Sequence, residues 1–413
     1  MTVALLACGE GGSPAPTPTL PPQATATPVD LGPPHPEVDR VLEHIRVLSV
    51  EIGSRPAGSP QEMEAIAYAR EQFERWGYRV DVQAFAVSSE LLRAASLVVE
   101  QPERRSLPAL PFLGAPAGAV SGRLLDAGTG RQEEFPSDAG GAIVLIQRLD
   151  VPFVDMARRA RAAGAGAVIV ANREPGLFHG GFDPPIDLPV IAIDQADGEA
   201  LRTLLAAGTV EVTVTVEEQR EVATHNIIAR LPGSACRTMS GAHYDSVPAT
   251  PGAGDNASGS AMVLELARAA AAAGLSGHCF VLFGAEETGL DGSELFVSRL
   301  TTEERETLSA LFNYDVVAGN APPLAAGSDG LLDRAEELAE REGLDVEFSP
   351  RPGEIPSDHL SFLEAGIPAL ILTSPDFDRI HTAEDTLANL DPGSLAAIAS
   401  LGFALLQELS EGG

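Results

Sequence analysis

The chain has 413 residues, 44% of them hydrophobic, which is enough for two or three domains with packed cores. Its formal net charge is −32 and it contains no lysine, so the basic surface that nucleic-acid binding requires is missing. The sequence contains no run of 18 consecutive apolar residues, so it predicts no membrane-spanning helix. The composition therefore predicts a globular protein without a nucleic-acid partner.

Residues 1–34 combine an apolar start with a coil-like linker. Cys8 follows "LLA", which resembles the cleavage box of bacterial lipoproteins, and the stretch from there to Pro28 is rich in proline and threonine. We predict that these residues are the remnant of a lipoprotein signal and a disordered linker, and that lipidation of Cys8 anchors the protein to a membrane. This prediction places the protein outside the cell, either extracellular or on the cell surface. The alternative is a disordered end without a signal.

Two helices and a strand follow the linker. Residues 36–53 and 59–77 place apolar side chains three and four positions apart, which predicts helices. Ser59 and Pro60 are typical of a helix start. Residues 78–87 alternate between apolar and polar side chains, as a half-buried strand does.

The pattern of apolar and glycine residues between residues 88 and 217 differs from that of the segments before it. Three short β-rich runs, "GAIVLIQR", "GAVIVAN" and "LPVIAID", are separated or followed by the helical segments "PFVDMARRARAAGA" and "DGEALRTLLAAG". We predict that residues 88–217 form a small α+β domain inserted into the main domain. The main domain then consists of residues 35–87 and 218–413.

From about His225 onward, strand patterns alternate with helix patterns, which predicts an α/β fold: a mostly parallel mixed sheet with helices on both faces. In such sheets the functional site lies outside the carboxyl ends of the strands. Cys236 and Cys279 would lie at matching depth at the starts of neighbouring strands. A disulfide and two buried thiols both remain open for this pair.

Five segments, at predicted strand ends or in the loops beyond them, contain acidic and histidine side chains. The adjacent carboxylates of Glu286 and Glu287 would repel each other, and burying either alone is costly, so we expect a cation beside them. Two histidines with three carboxylates suit two divalent ions, and these ligand types favour zinc, with cobalt or manganese as substitutes. The residues in these segments are His243, Asp245, Asp255, Glu286, Glu287, Asp315, His381 and Asp385.

The motifs "AHYDS", "GDNASG", "GAEETGLDGS", "NYD" and "HTAEDT" resemble, in order and rough spacing, those of the di-zinc aminopeptidases of metallopeptidase family 28. The inserted segment resembles the protease-associated domain often found at that place in this family. The resemblance implies a zinc-aminopeptidase-like fold and an exopeptidase that removes N-terminal residues from peptides.

The resemblance also implies roles for individual residues. His243 and Asp315 would hold one zinc ion, Glu287 and His381 would hold the other, Asp255 would bridge both, and Glu286 would be the general base. Outside this set, Asp245 would orient the His243 ring and Asp385 would brace the His381 loop.

The segment "PGEIPSDHLSF" departs from the family pattern, because no tyrosine precedes "SDH" to polarise the substrate carbonyl. His359 is the nearest candidate for a contact with the substrate or oxyanion, and the alternative is a helix start capped by Ser357. Other functions also remain open: a dipeptidase or carboxypeptidase on the same scaffold, a deacylase with a lid domain, a glutaminyl cyclase, or a non-catalytic binding protein. The complete ligand set favours a two-metal enzyme with a peptide substrate, and the oligomeric state is not predicted.

Overall fold

The computed structural model of the protein describes residues 30–411. Cys8, for which lipidation is predicted, and most of the predicted linker lie outside the described residues. The α-helices in the described range are α1 (Val38–Arg46), α2 (Pro60–Arg75), α3 (Phe153–Ala162), α4 (Gln195–Ala207), α5 (Gly259–Ala273), α6 (Asp291–Arg299), α7 (Thr302–Thr307), α8 (Asp329–Glu342), α9 (His359–Glu364) and α10 (Pro392–Glu411), and α1 continues as a π-helix over Val47–Ile52.

The strands fall into two groups, one in an open sheet and one in a barrel. They are β1 (Arg79–Val87), β2 (Ala95–Gln101), β3 (Arg105–Pro111), β4 (Gly118–Asp126), β5 (Ile143–Gln147), β6 (Ala167–Ala171), β7 (Val190–Ile193), β8 (Glu211–Val216), β9 (Val222–Arg230), β10 (Thr238–His243), β11 (His278–Phe283), β12 (Ala310–Tyr314), β13 (Leu324–Gly327), β14 (Glu347–Ser349) and β15 (Ala369–Thr373).

The open sheet has eight strands in the order β1-β9-β11-β10-β12-β15-β13-β14. Its centre, from β11 through β10 and β12 to β15, is parallel. The pairings β1–β9, β9–β11 and β13–β15 are antiparallel, and β13–β14 is parallel. The sheet is therefore mixed, as predicted, with four parallel pairings and three antiparallel pairings that lie outside its centre.

Helices cover both faces of this sheet, because successive side chains of a strand point to opposite faces. On β11, Phe280 and Leu282 pack into a core shared with α1, α2, α5, α8 and α10. Val281 and Phe283 pack into a second core with residues of α6 and α9. The helix α10 is long and apolar enough to cross a membrane by composition, but Leu401, among its inner residues, is fully buried in the first core. We therefore interpret α10 as a core helix.

Strands β2 to β8 close into a seven-stranded barrel in the order β2-β3-β7-β6-β5-β4-β8. The α+β domain predicted from the sequence was too coarse a description, because it omitted β2, β3, β4 and β8 and the closure. Side chains of β5 alternate between two cores: Ile143 and Leu145 share one with Leu201 of α4, while Val144 and Ile146 share the other with Met156 of α3. The helices α3 and α4 are thus buried against opposite faces of the strands.

The chain enters and leaves the barrel at neighbouring points of the open sheet. Val87, the last residue of β1, is paired with Val222, the first residue of β9. A disulfide between Cys236 and Cys279, with a Cα–Cα distance of 5.4 Å, lies at the other end of the central strands. Of the two alternatives for this pair, the structure has the disulfide.

Candidate metal centre

Four of the predicted site residues lie at the carboxyl ends of three adjacent parallel strands. His243 is the last residue of β10 and lies in register with Phe283 at the end of β11. The Glu286–Glu287 pair follows three residues after Phe283, and Asp315 directly follows β12. Because β10 lies between β11 and β12, these side chains converge on one edge of the sheet.

Asp255 reaches the same edge from the irregular turn that precedes α5. Its backbone is not helical, with φ −113° and ψ 97°. The neighbouring Asn256 side chain fixes this turn, since its Nδ2 donates to the Tyr314 carbonyl at 2.9 Å and its Oδ1 accepts from Gly259 N–H at 2.8 Å. The turn is therefore tied to the end of β12 and to the start of α5.

The two carboxylate oxygens of Asp255 face two different imidazoles. Its Oδ1 lies 3.1 Å from His243 Nε2, and its Oδ2 lies 3.0 Å from His381 Nε2. His243 Nε2 is also 3.3 Å from Asp315 Oδ1, while His381 Nε2 is 3.0 Å from Glu287 Oε2. The structure thus contains two histidine–carboxylate clusters that share Asp255.

Glu286 lies beside these clusters, with its Oε2 3.9 Å from His243 Nε2. His243, Glu286 and Asp315 can place one ligand atom each within 4.8 Å of one another, as can His243, Asp255 and Glu287. The predicted site residues from these five segments are therefore gathered at one place.

The electrostatics of this cluster indicate an excess of negative charge. Burial raises the pKa of Glu286 well above its ordinary value, and burial together with Asp255 raises the pKa of Glu287 to about 7. Burial lowers the pKa of His381, but its hydrogen bonds with Asp255 and Glu287 outweigh this effect and raise the pKa to about 11. Acids that resist ionisation beside imidazoles that hold their protons are expected where several anions face each other without a cation.

The residues fit a pair of zinc ions on several observations. Among the described residues, no arginine forms an ion pair with Asp255, Glu286, Glu287 or Asp315. The Oδ1 atom of Asp315 is buried without a hydrogen-bond partner in the described part of the chain. Buried carboxylates normally have such a partner or bind a metal, and imidazole with carboxylate is a donor set that zinc accepts.

Asp245 supports the glutamate pair more directly than it supports His243. Its two carboxylate oxygens accept from the backbone N–H groups of Glu286 at 3.2 Å and Glu287 at 3.4 Å. Its Oδ1 is 3.5 Å from His243 Nδ1, and that nitrogen has no hydrogen-bond partner among the described residues. Asp245 therefore fixes the backbone that presents both glutamates.

Asp385 joins the His381 loop to the Asp255 turn. Its carboxylate accepts from Gly254 N–H at 2.6 Å and from Asp255 N–H at 3.1 Å. Burial raises its pKa to about 6. Through these bonds the loop that carries His381 also holds the backbone of Asp255 in place.

His359 is fully buried at the start of α9, and its Nε2 lies 3.1 Å from the carbonyl of Pro352. It is not among the described residues that line the cleft. Ser357 does not cap α9; its Oγ accepts from Asn313 Nδ2 at 2.8 Å instead. In this structure the ring of His359 thus holds the loop before α9 rather than facing the cleft.

The cleft over the cluster contains residues that the sequence analysis did not single out. Its volume is about 360 Å³, and it is lined by Asp255, Glu286, Glu287, Asp315, Val316, Glu354, Ile355, Pro356, Thr373, Phe377, Ile380 and His381. Asp358, beside it, is fully buried with neither oxygen hydrogen-bonded in the described range, and burial raises its pKa to about 7. The motif "SDH" indicated this segment in the sequence, but no sequence pattern predicted the apolar residues that line the cleft.

The barrel contacts the loops on both sides of the cluster. His179 Nε2 is 2.9 Å from the carbonyl of Pro248, in the loop that follows β10. Gly176 lies against Ala383 in the His381 loop, so closely that a Cβ atom at position 176 would overlap the Ala383 methyl group. The loop after β6 therefore packs against two segments that carry predicted metal ligands.

Comparison with known proteins agrees with this geometry. The model of peptidase family M28 matches residues 226–406, and that of the PA domain matches residues 112–201. Aminopeptidase YwaD of Bacillus subtilis is 30% identical over 395 residues, covering 88% of this chain and 83% of that protein. The chain therefore belongs to peptidase family M28, as its motifs predict.

Two further relatives add to this assignment. A solved structure of a zinc aminopeptidase from Bacillus subtilis superimposes with a TM-score of 0.68 at 27% identity, covering 90% of this chain and 95% of that one. The probable lipoprotein aminopeptidase LpqL of Mycobacterium tuberculosis is 30% identical over 308 residues, covering 69% of this chain and 60% of that protein. The predicted assignment to metal-dependent aminopeptidases is confirmed at the level of the family and the fold.

Proposed function

We propose that the protein is a zinc-dependent aminopeptidase that hydrolyses the first peptide bond of its substrates. One observation carries this proposal: the carboxylate of Asp255 lies between two histidine–carboxylate clusters, with Glu286 directly beside them. His243 and Asp315 would hold one zinc ion, and Glu287 and His381 the other, with Asp255 shared. Zinc bound there would supply Lewis acidity, which makes a water molecule nucleophilic near neutral pH and neutralises negative charge that develops on the carbonyl oxygen.

Glu286 is assigned the proton transfers. It lines the cleft, and its carboxylate can accept the proton of the attacking water and then donate it to the departing amine. In the metal-free centre, burial raises the pKa of this carboxyl group well above its ordinary value, which favours uptake of a proton. Asp245, by binding the N–H groups of Glu286 and Glu287, would keep the base and a metal ligand in fixed relation.

The charge of the cleft favours the amino end of a peptide over its carboxyl end. The lining includes five carboxylates, Asp255, Glu286, Glu287, Asp315 and Glu354, and no arginine among the described lining residues. A carboxypeptidase needs a cation to bind the terminal carboxylate of its substrate. Two zinc ions would neutralise the carboxylates of their own site, so the lack of an arginine in the described lining is the feature that favours the amino end. Aminopeptidase activity is therefore the better-supported proposal.

A panel of blocked and unblocked substrates tests this proposal. We expect hydrolysis of aminoacyl chromogenic amides and of peptides with a blocked carboxyl terminus, loss of hydrolysis with a chelator, and recovery when zinc is returned. Peptides with an acetylated amino terminus should not be cleaved. Cleavage of acetylated peptides from their carboxyl end, or of dipeptides alone, would assign a different exopeptidase activity to the same site.

We also propose that residues 88–217 are the inserted domain and that the protein is exported and anchored through Cys8. A lipoprotein relative and a disulfide, which persists in oxidising compartments, support export. Labelling with a fatty-acid analogue in a bacterial host should mark the wild-type protein and not the Cys8→Ser variant. Equal labelling of both would contradict lipidation at this position.

A further inference from the structure

Arg55 is a buried arginine that the proposed mechanism does not use. It lies in the short connection between Ile52 and α2, and its side chain is fully buried. All three guanidinium nitrogens donate to backbone carbonyls. The acceptors are Leu48 at 2.9 Å, Gly53 at 2.7 Å, Tyr244 at 2.9 Å, Pro251 at 2.9 Å and Gly252 at 3.0 Å.

Three of these carbonyls belong to the segments that carry metal-centre residues. Tyr244 directly follows His243, while Pro251 and Gly252 lie shortly before Asp255. The backbone of Arg55 adds a further contact, since its N–H donates to Ser246 Oγ at 3.0 Å. One planar side chain therefore joins the end of β10 to the turn before α5.

Arg55 has no ion-pair partner within the described range, although burying a charge is costly without one. Burial lowers the pKa of Arg55 to about 10, and the carboxylates of Asp385, Asp245, Asp255 and Glu287 act in the opposite direction. The space around it is also filled, because a Cβ atom on Gly252 would lie 3.0 Å from Arg55 Nη2. A buried cation with five carbonyl acceptors is therefore retained next to the acidic cluster, without a carboxylate of its own.

Arg268 provides a comparison within the same domain. It is also almost completely buried and donates to backbone carbonyls, at 2.8 Å to Pro33 and 2.7 Å to His35. It differs in having its own anion, since Nη2 is 2.7 Å from Glu265 Oε1. Arg268 holds residues before α1 against α5. Like Arg55 it links distant parts of the backbone, but it does not contact the segments that carry the proposed zinc ligands.

We propose that Arg55 is a positioning residue for the metal centre. Its guanidinium fixes the carbonyls of Tyr244, Pro251 and Gly252, so that His243 and Asp255 stand in binding positions before zinc arrives. This inference rests on the proposed function, because it takes the cluster to be a zinc site. It implies that loss of the guanidinium fork weakens zinc binding even where the positive charge is kept.

The test compares zinc affinity in Arg55→Met, Arg55→Lys and Arg268→Met by competition with a chromophoric chelator. We expect both Arg55 variants to bind zinc roughly 10- to 100-fold more weakly, the range found when groups that orient metal ligands are removed. Lysine keeps the charge but has a single nitrogen and cannot serve the same carbonyls. Arg268→Met should lose thermal stability in the metal-free state but keep the zinc affinity of the wild type.

Unchanged zinc affinity in the Arg55 variants would overturn the inference, as would an equal loss in Arg268→Met. So would tighter binding in Arg55→Met, which would mean that the charge of Arg55 acts only by repelling the ions. A wild-type protein that binds no zinc would instead contradict the proposed function itself.

Hydrogen exchange on the metal-free wild type keeps the inference testable if the Arg55 variants do not fold. Backbone amides in residues 244–256 should stay protected after zinc is removed, because Arg55 holds this region without the ions. Exchange of these amides at the rate of unstructured peptide, with protection only after zinc is added, would show that the ions and not Arg55 assemble the segments.

Discussion

The carboxyl ends of parallel strands are polar in both the barrel and the open sheet, but their side chains are used differently. At the ends of β5, β6 and β7 in the barrel, Gln147, Asn172 and Asp194 make local hydrogen bonds. Gln147 Nε2 donates to the Asn172 carbonyl at 2.7 Å, Asn172 Nδ2 donates to the Gly176 carbonyl at 2.9 Å, and Asp194 accepts from Ala196 N–H at 2.7 Å. These groups satisfy one another and fix the connecting loops.

At the corresponding edge of the open sheet, acidic side chains face acidic side chains. Both oxygens of Asp358 have no hydrogen-bond partner among the described residues, and Asp315 Oδ1, also without a hydrogen bond, lies 3.3 Å from His243 Nε2. Buried polar groups are normally paired, so unpaired acids indicate an absent partner of opposite charge. The comparison teaches that polar residues at strand ends are not sufficient to mark a site, whereas unpaired acids at those ends are informative.

The largest effect expected from this contrast is the loss of catalysis in Glu286→Gln. Because glutamine cannot accept the proton, we expect kcat to fall roughly 10²- to 10⁴-fold, while zinc content stays at the wild-type level. Steady-state kinetics and metal analysis of the same sample check this. Gln147→Leu, at the end of a barrel strand, is the control and should keep kcat. A similar loss of kcat in both variants would remove the functional difference between the two edges.

The second effect concerns buried acids, which in the described range lie in the open-sheet part rather than in the barrel. Burial raises the pKa of Glu62, on α2, from 4.5 to about 7, although Gly58 N–H and Tyr244 Oη donate to its carboxylate at 2.8 and 3.0 Å. The folded protein therefore keeps this proton at pH values where the unfolded chain has released it. Its free energy of unfolding should fall as the pH rises from about 4.5 to about 7, by up to about 3 kcal/mol.

Glu62→Gln tests this pH dependence, because an uncharged side chain contributes the same at every pH. Urea denaturation of the metal-free proteins at about pH 5 and about pH 8 should show a smaller difference in the variant than in the wild type. Glu64→Gln, at an exposed position of the same helix, is the matched control and should behave like the wild type. The assignment to Glu62 fails if all three proteins depend on pH equally.

Gly176→Ala disturbs the contact between the two regions. Gly176 has φ +94°, and its added methyl group would overlap Ala383 in the His381 loop. We expect a loss of about 1–3 kcal/mol in stability, from backbone strain, together with weaker zinc binding as the loop is displaced. Thermal unfolding and zinc titration measure both effects. Gly140→Ala is the control, because a Cβ atom there meets no other atom within 4 Å. Wild-type zinc affinity in Gly176→Ala would mean that the barrel does not influence the centre.

The smallest effect is expected inside the barrel. Asp194→Ala removes the acceptor for Gly176 N–H and for Ala196 N–H in the first turn of α4. Loss of such a cap costs about 1 kcal/mol, which calorimetry should detect as a lower Tm. The change in zinc affinity should be smaller than in Gly176→Ala, because no added atom is pushed against the His381 loop. Asp187→Ala, at an exposed position of the same domain, should leave both quantities unchanged. A loss of zinc affinity in Asp194→Ala as large as that in Gly176→Ala would contradict this order of effects.

Much of the open sheet could be predicted because strand patterns alternate with helix patterns from about His225 onward, and three of the central strands, β10, β11 and β12, end at or close to acidic or histidine residues. The strand β11, "HCFVLF", is fully buried, and the glutamates follow it within a few residues. The chemistry of the centre could also be predicted, since the types of metal-binding side chain and their order are properties of the sequence. The roles assigned to individual residues remain proposals.

What could not be predicted depends on contacts between distant parts of the chain. The barrel strand β4 is mostly exposed along its length, and β2 pairs with β8, which lies more than a hundred residues further along. The four residues of β13, "LAAG", carry no β-branched side chain. Arg55 is a single arginine in a loop, and its importance follows only from the carbonyls that the fold places around it.

The pairing of Val87 with Val222 has a consequence for how this molecule could have arisen. Because the barrel departs and returns at one rung of a β-ladder, a gene segment encoding it could be gained, lost or exchanged while the host keeps its register. Because both covalent connections of the barrel lie at this pair of residues, the barrel could rotate about them unless contacts on its far side hold it. Gly176 and His179 make such contacts. Sequence drift in those few positions would then free the barrel from the loops beside the cleft, with the proposed catalytic residues unchanged.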